Sequence, residues 1–335
     1  MTTRLAVLGA GLIGRRHAAL VLSDPALSLA AIVDPAPEAR HWAEGLGVPW
    51  HPTLEALLAG PRPDGAIVAT PNRLHVPQAL ALVAAGIPVL VEKPIADSVD
   101  DAERLVAAAE HAGVPLLVGH HRRHNPVIAA AKAAIDAGRL GRLVAVHAMC
   151  WLAKPPSYFD IAWRRAPGAG PVLINLIHDI DLMRHLCGDI DAVQAMAARA
   201  VRGHPVEETA SVLLRFANGA LGTMTVSDTV AAPWSWEFTS GENPAYTRTS
   251  ESCYLLGGTE ASLGLPDLRL WRHEQSPDWW QPLQAEALAA PVQDPLLRQL
   301  HHFADVIHGR AAPLVSGRDG LEALRVVAKI HAASA

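Results

Sequence analysis

The chain has 335 residues, half of them apolar and 18% charged, with a formal charge of −5, which at roughly 100–200 residues per domain predicts two domains with ample material for two cores. No basic stripe offers nucleic acid an electrostatic foothold, no apolar run approaches the ~18–20 residues of a membrane span, and Arg4–Leu8 already reads as a strand rather than a signal peptide. Cys150, Cys187 and Cys253 are odd in number and widely spaced, which argues against a disulfide framework or zinc knuckle and for a reduced, soluble, cytoplasmic protein.

From Arg4 to His121 short apolar runs alternate with Ala/Leu-rich amphipathic stretches. The runs Leu5–Leu8, Leu29–Val33, Ala66–Ala69, Val89–Val91 and Leu116–Val118 predict strands buried on both faces. Between them His17–Leu22, Pro37–Leu46, Val76–Ala85 and Ala102–His111 predict helices. This rhythm predicts right-handed βαβ units and a doubly wound parallel sheet, the Rossmann arrangement, over residues 1–122.

The first βα turn is Gly9-Ala10-Gly11-Leu12-Ile13-Gly14, with Asp34 closing the next strand 20 residues after Gly14. A Gly-rich turn alone is a weak signal, but strand, turn, helix and acid in this order form a dinucleotide fingerprint. Gly9 permits the sharp turn, Gly11 lets the backbone approach a pyrophosphate, and Gly14 allows close helix–strand packing. The N–H groups of Leu12 and Ile13 would face phosphate oxygens at a helix N-terminus. Asp34 would accept both adenosine ribose hydroxyls, each such bond worth about 1.5–3 kcal/mol. Pro35-Ala36-Pro37 offers a 2′-phosphate no Ser or Arg, and Arg40, one turn further on, is expected to face solvent. NAD is therefore expected over NADP.

Two further clusters end strands on the side where open α/β sheets place ligands. Thr70-Pro71-Asn72-Arg73-Leu74-His75 reads locally as a Pro-Asn turn with a helix beginning near Leu74; its place on the ligand side makes Thr70, Pro71, Asn72 and His75 candidate cofactor residues. Glu92-Lys93-Pro94 ends Val89–Val91. A lysine at a buried strand end is partly desolvated, which moves its pKa toward a useful range. Glu92 and Lys93 join the cofactor set, and a cis Lys93–Pro94 bond would aim the lysine differently from a continuing strand.

The glycine fingerprint, the T-P-N-x-x-H turn and the E-K-P turn, in this order, resemble the Gfo/Idh/MocA family of NAD(P)-dependent oxidoreductases, which includes inositol dehydrogenases, glucose–fructose oxidoreductase, anhydrofructose reductase and dihydrodiol dehydrogenases. The resemblance implies that residues 123–335 form a substrate-binding and oligomerisation domain. It further implies that the junction at His120-His121-Arg122-Arg123-His124 faces nicotinamide and substrate. Five cationic or potentially cationic side chains in a row need a partner. One reading is a solvated helix start. The other has Arg122 or Arg123 fork an anionic or oxygen-rich substrate.

Val127–Ala137 predicts a helix, after which the pattern turns to period two at Leu143–Met149, Ala192–Ala198, Ser211–Phe216, Ala220–Ser227, Trp234–Thr239 and Leu268–Trp271, with Asn218-Gly219 as a hairpin turn. An α+β domain with a large, open, mainly antiparallel sheet is expected. Trp234, Trp236, Trp279 and Trp280 are read as core or interface residues. The resemblance implies a substrate site on the helical side of this sheet and subunit contacts on the other, hence a homo-oligomer, dimer or tetramer.

Leu173–Leu186 predicts a helix after the loop Gly168-Ala169-Gly170. Family members carry a Gly-rich loop, then an Asp and a His four residues later. His178 matches the histidine, but Ile174 stands where the acid is expected. Asn175 lies about 100° round the helix from Ile174. Either a Lys–His pair operates, or Asp179, Asp181 or a histidine of 120–124 substitutes. Asp181 could also orient His178 or pair with Arg184. Apart from the resemblance, His178 reads as a satisfied core histidine; His178 and Asp181 without a third ligand do not make a metal site, and none is expected. The 151–167 loop precedes this helix, and the resemblance makes its Arg164 a pocket residue. Gly257-Gly258-Thr259-Glu260-Ala261 resembles a structural family turn, and Leu296–His308 and Gly320–Ala332 predict two closing helices.

The expected activity is reversible hydride transfer between nicotinamide and a secondary alcohol or ketone of a sugar, polyol or related cyclic substrate, acidic ones included. Lys93 and His178 would handle the proton, and Arg122, Arg123, Arg164 and Asn175 would join them in binding substrate. One alternative is a non-enzymatic NAD-binding sensor, motivated by Ile174. Another is an enzyme that keeps its cofactor and alternates two substrates, as glucose–fructose oxidoreductase does; that protein uses NADP and a Tyr near the histidine position, a poor match.

Overall fold

The computed structural model describes residues 2–166 and 168–334. The chain divides into two units, Met1–His121 with Asp294–Leu324, and Arg122–Gln293 with Arg325–Ala335. In the first, β1 (Thr3–Leu8), β2 (Leu27–Val33), β3 (Trp50–His51), β4 (Gly65–Val68), β5 (Val89–Val91) and β6 (Leu116–Val118) form one sheet in the order β3-β2-β1-β4-β5-β6. Every adjacent pair is parallel. The strands read as unbroken apolar runs because helices cover both faces, leaving Leu5, Val7, Ile67 and Leu90 buried.

The connections carry α1 (Leu12–Ser23), α2 (Pro37–Gly45), α3 (Leu54–Leu58), α4 (His75–Ala84) and α5 (Val99–Ala112). Local chemistry starts and stops them. Pro37 occupies the first turn of α2, Ser98 caps α5 by accepting the Asp101 N–H, and Gly113 ends it in the left-handed conformation. Strand order reverses between β1 and β4, and the crevice at their carboxyl ends is where open α/β sheets take ligands.

In the second unit, α6 (Pro126–Asp136) leads to β7 (Leu143–Trp151), followed by α7 (Ile177–Cys187), β8 (Ile190–Ala198), β9 (Thr209–Phe216), β10 (Leu221–Ser227), α8 (Trp236–Thr239), β11 (Tyr254–Gly258), β12 (Ala261–Leu265), β13 (Arg269–His273) and β14 (Leu283–Ala287). The sheet runs β14-β13-β12-β11-β7-β10-β9-β8. It is antiparallel except between β7 and β10. On β9, Ala210, Val212, Leu214 and Phe216 point inward, whereas Ser211, Leu213 and Arg215 point out. Leu213, Leu221, Leu255 and Trp271 are all exposed, and strand register places them on one face.

Three expectations change. Trp234–Thr239 was expected as a strand; instead Ser235 accepts the Phe238 N–H and starts the short α8, while Trp236 is buried and stacks on Tyr254 at 5.6 Å. The helix expected over Leu173–Leu186 opens with a wider-wound π turn, Val172–Leu176, before α7. A single domain was expected over 123–335, but Asp294–Leu324 belongs with the first unit. The reason is packing: Leu300, Phe303, Ala304 and Val306 of α9 (Pro295–Ile307) share one buried cluster with Leu5, Val7, Ile32 and Ile67. The start of α10 (Gly317–Ala333) lies on β6, where a Cβ on Gly317 would come within 2.5 Å of Leu116. The short β3, α3, β11, β12 and β14 carry too little periodic signal to read in advance.

Candidate functional site

The glycine turn has the geometry its sequence demands. Gly9 sits at φ 96°, and a Cβ there would lie 2.5 Å from the Ala69 carbonyl oxygen. One on Gly14 would come within 1.9 Å of the Gly9 carbonyl oxygen. At Gly11 a Cβ would meet nothing within 4 Å among the described residues. The turn is thus packed on its sheet side and open at Gly11. Gly11 caps α1 without a side chain, and no acid stands in the first turn. The first N–H to return to this turn is that of Arg15, onto Gly11 at 2.9 Å. Leu12, Ile13 and Gly14 therefore present N–H groups that the helix leaves unpaired, a donor set suited to a pyrophosphate.

Asp34 stands beside this turn. One carboxylate oxygen accepts the Ala10 N–H at 2.8 Å and the other the Ala36 N–H at 2.9 Å. Each oxygen keeps a second lone pair for a ribose hydroxyl. Arg40 hydrogen-bonds Glu44 at 2.8 Å and lies over the Trp50 ring. These residues fit the dinucleotide their sequence suggested.

Among the remaining cofactor candidates of this unit, some are exposed to a ligand and some are not. Thr70 donates its hydroxyl to Gln78 at 2.7 Å, Pro71 is exposed, Asn72 opens a short 3-10 turn, and Lys93 is half-buried. His75 and Glu92 correct the expectation. His75 is buried, with its two ring nitrogens 2.8 Å from the Pro94 and Thr70 carbonyl oxygens. Its ring therefore ties the two turns together, with both ring nitrogens taken by backbone oxygens. Glu92 is buried against His17 of α1 at 2.7 Å. The Lys93–Pro94 peptide is cis.

In the second unit the arginines expected to bind substrate are already bound. Arg122 reaches Asp179 at 3.1 Å, the Tyr254 hydroxyl at 3.3 Å and Glu237 at 2.6 Å. Arg123 forks Asp181 with bonds of 2.9 and 2.7 Å. Both arginines are buried, so neither the solvated cluster nor the substrate fork survives. Each buried cation needs a carboxylate in place of lost water, and these carboxylates supply it. Asn125 and the Trp236 indole both donate to Glu242 at 2.9 Å. Glu237, Glu242, Trp236 and Tyr254 carried no motif, and His17 only the weak signal of an ionisable residue one turn past Gly14.

Asp179 and Glu237 thus share the Arg122 guanidinium, and the Tyr254 hydroxyl donates to Asp179. Burial raises Asp179 most and Glu237 adds to it; Arg122 and Tyr254 pull it down, and the balance pushes it up to about 6. An acid with a raised folded-state pKa holds its proton longer than the unfolded chain does. Stability is therefore expected to fall as pH rises from about 4 to about 6, by on the order of 3 kcal/mol from this group. Asp179→Asn is expected to flatten that slope in urea-unfolding midpoints. An unchanged slope in the variant would assign the pH dependence elsewhere.

His178, in the first turn of α7, is buried. Asp179 and Asp181 are committed to Arg122 and Arg123, so neither takes the place of the acid missing at Ile174, and Asp181 does not pair with Arg184, which reaches Asp189 at 2.6 Å. Asn175 lies in the π turn, and its buried Oδ1 accepts no hydrogen bond among the described residues. π turns recur at functional sites, and an oxygen in this state can receive a hydroxyl. Arg164 donates to the Tyr158 carbonyl at 3.0 Å and stacks over that ring at 4.1 Å. It is partly engaged by its own loop, whose last expected residue, Pro167, lies outside the described residues. Among the described residues no group of three or more His, Cys, Asp or Glu is placed to hold a metal, and no helix is long and apolar enough to cross a membrane.

Comparison with known proteins gives these features a setting. Residues 3–120 match a family model described as an oxidoreductase family with an NAD-binding Rossmann fold, and residues 128–256 match the GFO/IDH/MocA C-terminal domain. The chain is 30% identical to the 1,5-anhydro-D-fructose reductase of Ensifer adhaerens, across 81% of this chain and 78% of that protein. It is 32% identical to inositol 2-dehydrogenase 2 of Saccharopolyspora erythraea, across 66% and 65%. A solved structure, the WlbA dehydrogenase of Bordetella pertussis in complex with NADH and UDP-GlcNAcA, shares 25% identity and superposes with a TM-score of 0.80 over 100% of this chain and 97% of that one. A fingerprint with its acid in place, a lysine at the end of β5 and two matching family models agree: the chain is an oxidoreductase of the Gfo/Idh/MocA family.

Proposed function

We propose that this protein is an NAD(H)-dependent dehydrogenase that interconverts a secondary alcohol and a ketone on a sugar, polyol or related cyclic substrate. The observation that carries the reading is the carboxyl edge of the first sheet. There the open Gly11, the unpaired N–H groups of α1 and the anchored Asp34 stand on the edge that also ends in Lys93. The bound nicotinamide would supply the hydride chemistry.

The chain's own residues do the rest. Leu12, Ile13 and Gly14 hold phosphate oxygens through backbone N–H groups, and Asp34 selects free ribose hydroxyls by repelling a 2′-phosphate. Lys93 stands nearest the substrate oxygen, where a cation stabilises alkoxide charge, and His178 of the second unit exchanges the proton. Asn175 accepts a substrate hydroxyl. With Arg122 and Arg123 paired to carboxylates, Arg164 is the remaining arginine of the expected substrate set. The apolar outer face of the second sheet, around Leu213, Leu221, Leu255 and Trp271, is read as the contact between copies of the chain.

A panel of inositols, aldoses, uronic acids and dihydrodiols, assayed with NAD and with NADP on material sized by light scattering, tests this reading. Turnover of a cyclic polyol or sugar by an oligomer is expected, with NAD preferred at least about ten-fold, roughly the 1.4 kcal/mol that an unpaired like charge costs at an exposed site. NADH binding without turnover across the panel, at several pH values, would instead favour a sensor. A ten-fold preference for NADPH would remove the role given to Asp34.

A further inference from the structure

His17 lies one helical turn past Gly14 on α1 and is fully buried. Its Nε2 stands 2.7 Å from Glu92 Oε1, and the two side chains keep only 0% and 9% of their surface. Burying two ionisable groups is costly unless they pair with each other. The other buried residues of α1, Gly14, Ala18, Leu20 and Val21, carry no polar side chain. Glu92 is also closely housed. A Cβ on Gly119 would fall within 2.8 Å of its carboxylate, and its second oxygen accepts the Lys93 N–H at 3.3 Å. One buried carboxylate therefore links the helix of the glycine turn to the backbone of the residue that bears the amine.

We propose that Glu92, anchored by His17, is a positioning residue for Lys93: its carboxylate fixes the start of the Lys93-Pro94 turn and places a negative charge beside the residue that bears the amine. This rests on the reading of Lys93 as the group beside the substrate oxygen. Among the described residues, the charged and titratable groups that act on Glu92 include His17 from α1, His121 from the segment after β6, and Lys93 itself. His75 from α4 bonds the Pro94 carbonyl of the same turn. Burial alone would raise the Glu92 carboxyl. The His17 hydrogen bond and the charges of His17, His121 and Lys93 outweigh it and hold the carboxyl below the usual range. Such coupling is mutual, so a carboxylate stabilised by the lysine's charge stabilises that charge in return. The partial desolvation of a lysine at a strand end, which works against its charge, is thereby opposed, and the ammonium that would donate to a substrate oxygen is favoured.

Lysine occurs at four positions, Lys93, Lys132, Lys154 and Lys329, so the full chain, reductively methylated with a ¹³C label, gives a sparse amine spectrum. The resonance missing in Lys93→Met assigns Lys93. Its titration midpoint is expected to fall by about one pH unit or more in Glu92→Gln, which keeps the side-chain shape and removes the charge. Glu92→Asp, which keeps the charge but withdraws it by one methylene, is expected to fall between the two and provides the same readout if Glu92→Gln does not fold. A Lys93 midpoint unmoved in the folded variants overturns the proposal. The parent reading fails by a different result, undiminished turnover in Lys93→Met, and the titration needs no substrate.

Discussion

Lys93→Met is expected to bind NADH as the wild type does and to lose roughly 10²–10⁴ in turnover on whichever panel substrate the wild type oxidises. Methionine matches the length and apolar body of the lysine stem, so the half-buried pocket at the end of β5 keeps its packing. It removes the donor and the charge. The glycine turn, the N-terminus of α1 and Asp34 do not depend on the amine: Asp34 is held by the Ala10 and Ala36 N–H groups. The dissociation constant for NADH, read from its fluorescence, should therefore stay while turnover collapses. Near-normal turnover in this variant would take Lys93 out of the mechanism. A parallel loss of NADH binding would move its role to the cofactor.

Arg123→Met is expected to destabilise the protein by about 3–5 kcal/mol, because it strands the Asp181 carboxylate in a buried site without its cation. The pair is a two-bond fork with 5% and 1% of the side chains exposed, so water cannot replace the guanidinium. Had Arg123 faced substrate, the same change would raise KM and leave stability alone. The two outcomes separate cleanly in urea-unfolding midpoints measured beside KM. The double variant Arg123→Met with Asp181→Leu is expected to regain most of the loss, since it leaves no charge unpaired. Wild-type stability in the single variant would return Arg123 to the list of substrate groups.

Arg122 and Arg123 show where reading a sequence for function fails. A run of histidines and arginines beside a strand end looks like an anion site when only neighbouring residues are visible. Its partners Asp179 and Tyr254 stand 57 and 132 positions away from Arg122, and Glu237 lies in a segment expected to be a strand. His75 and Glu92 fail in the same way. Each sits in a ligand-side motif, and each is occupied by other groups: His75 by the carbonyl oxygens of Thr70 in its own turn and of Pro94, and Glu92 by a helix histidine.

What the amino-acid order determined by itself is the first sheet except its edge strand β3, the glycine turn, the anchoring acid and the position of Lys93 at a strand end. These follow from contacts inside single βαβ units and from steric demands as local as the missing Cβ atoms of Gly9 and Gly14. Only the tertiary structure decided which charged side chains remain open to a ligand and which are consumed as counter-ions, and where Asp294–Leu324 packs. The physical reason is that a buried charge takes whichever opposite charge folding brings beside it, and an amphipathic helix covers whichever apolar surface is still uncovered; neither partner is written in adjacent residues.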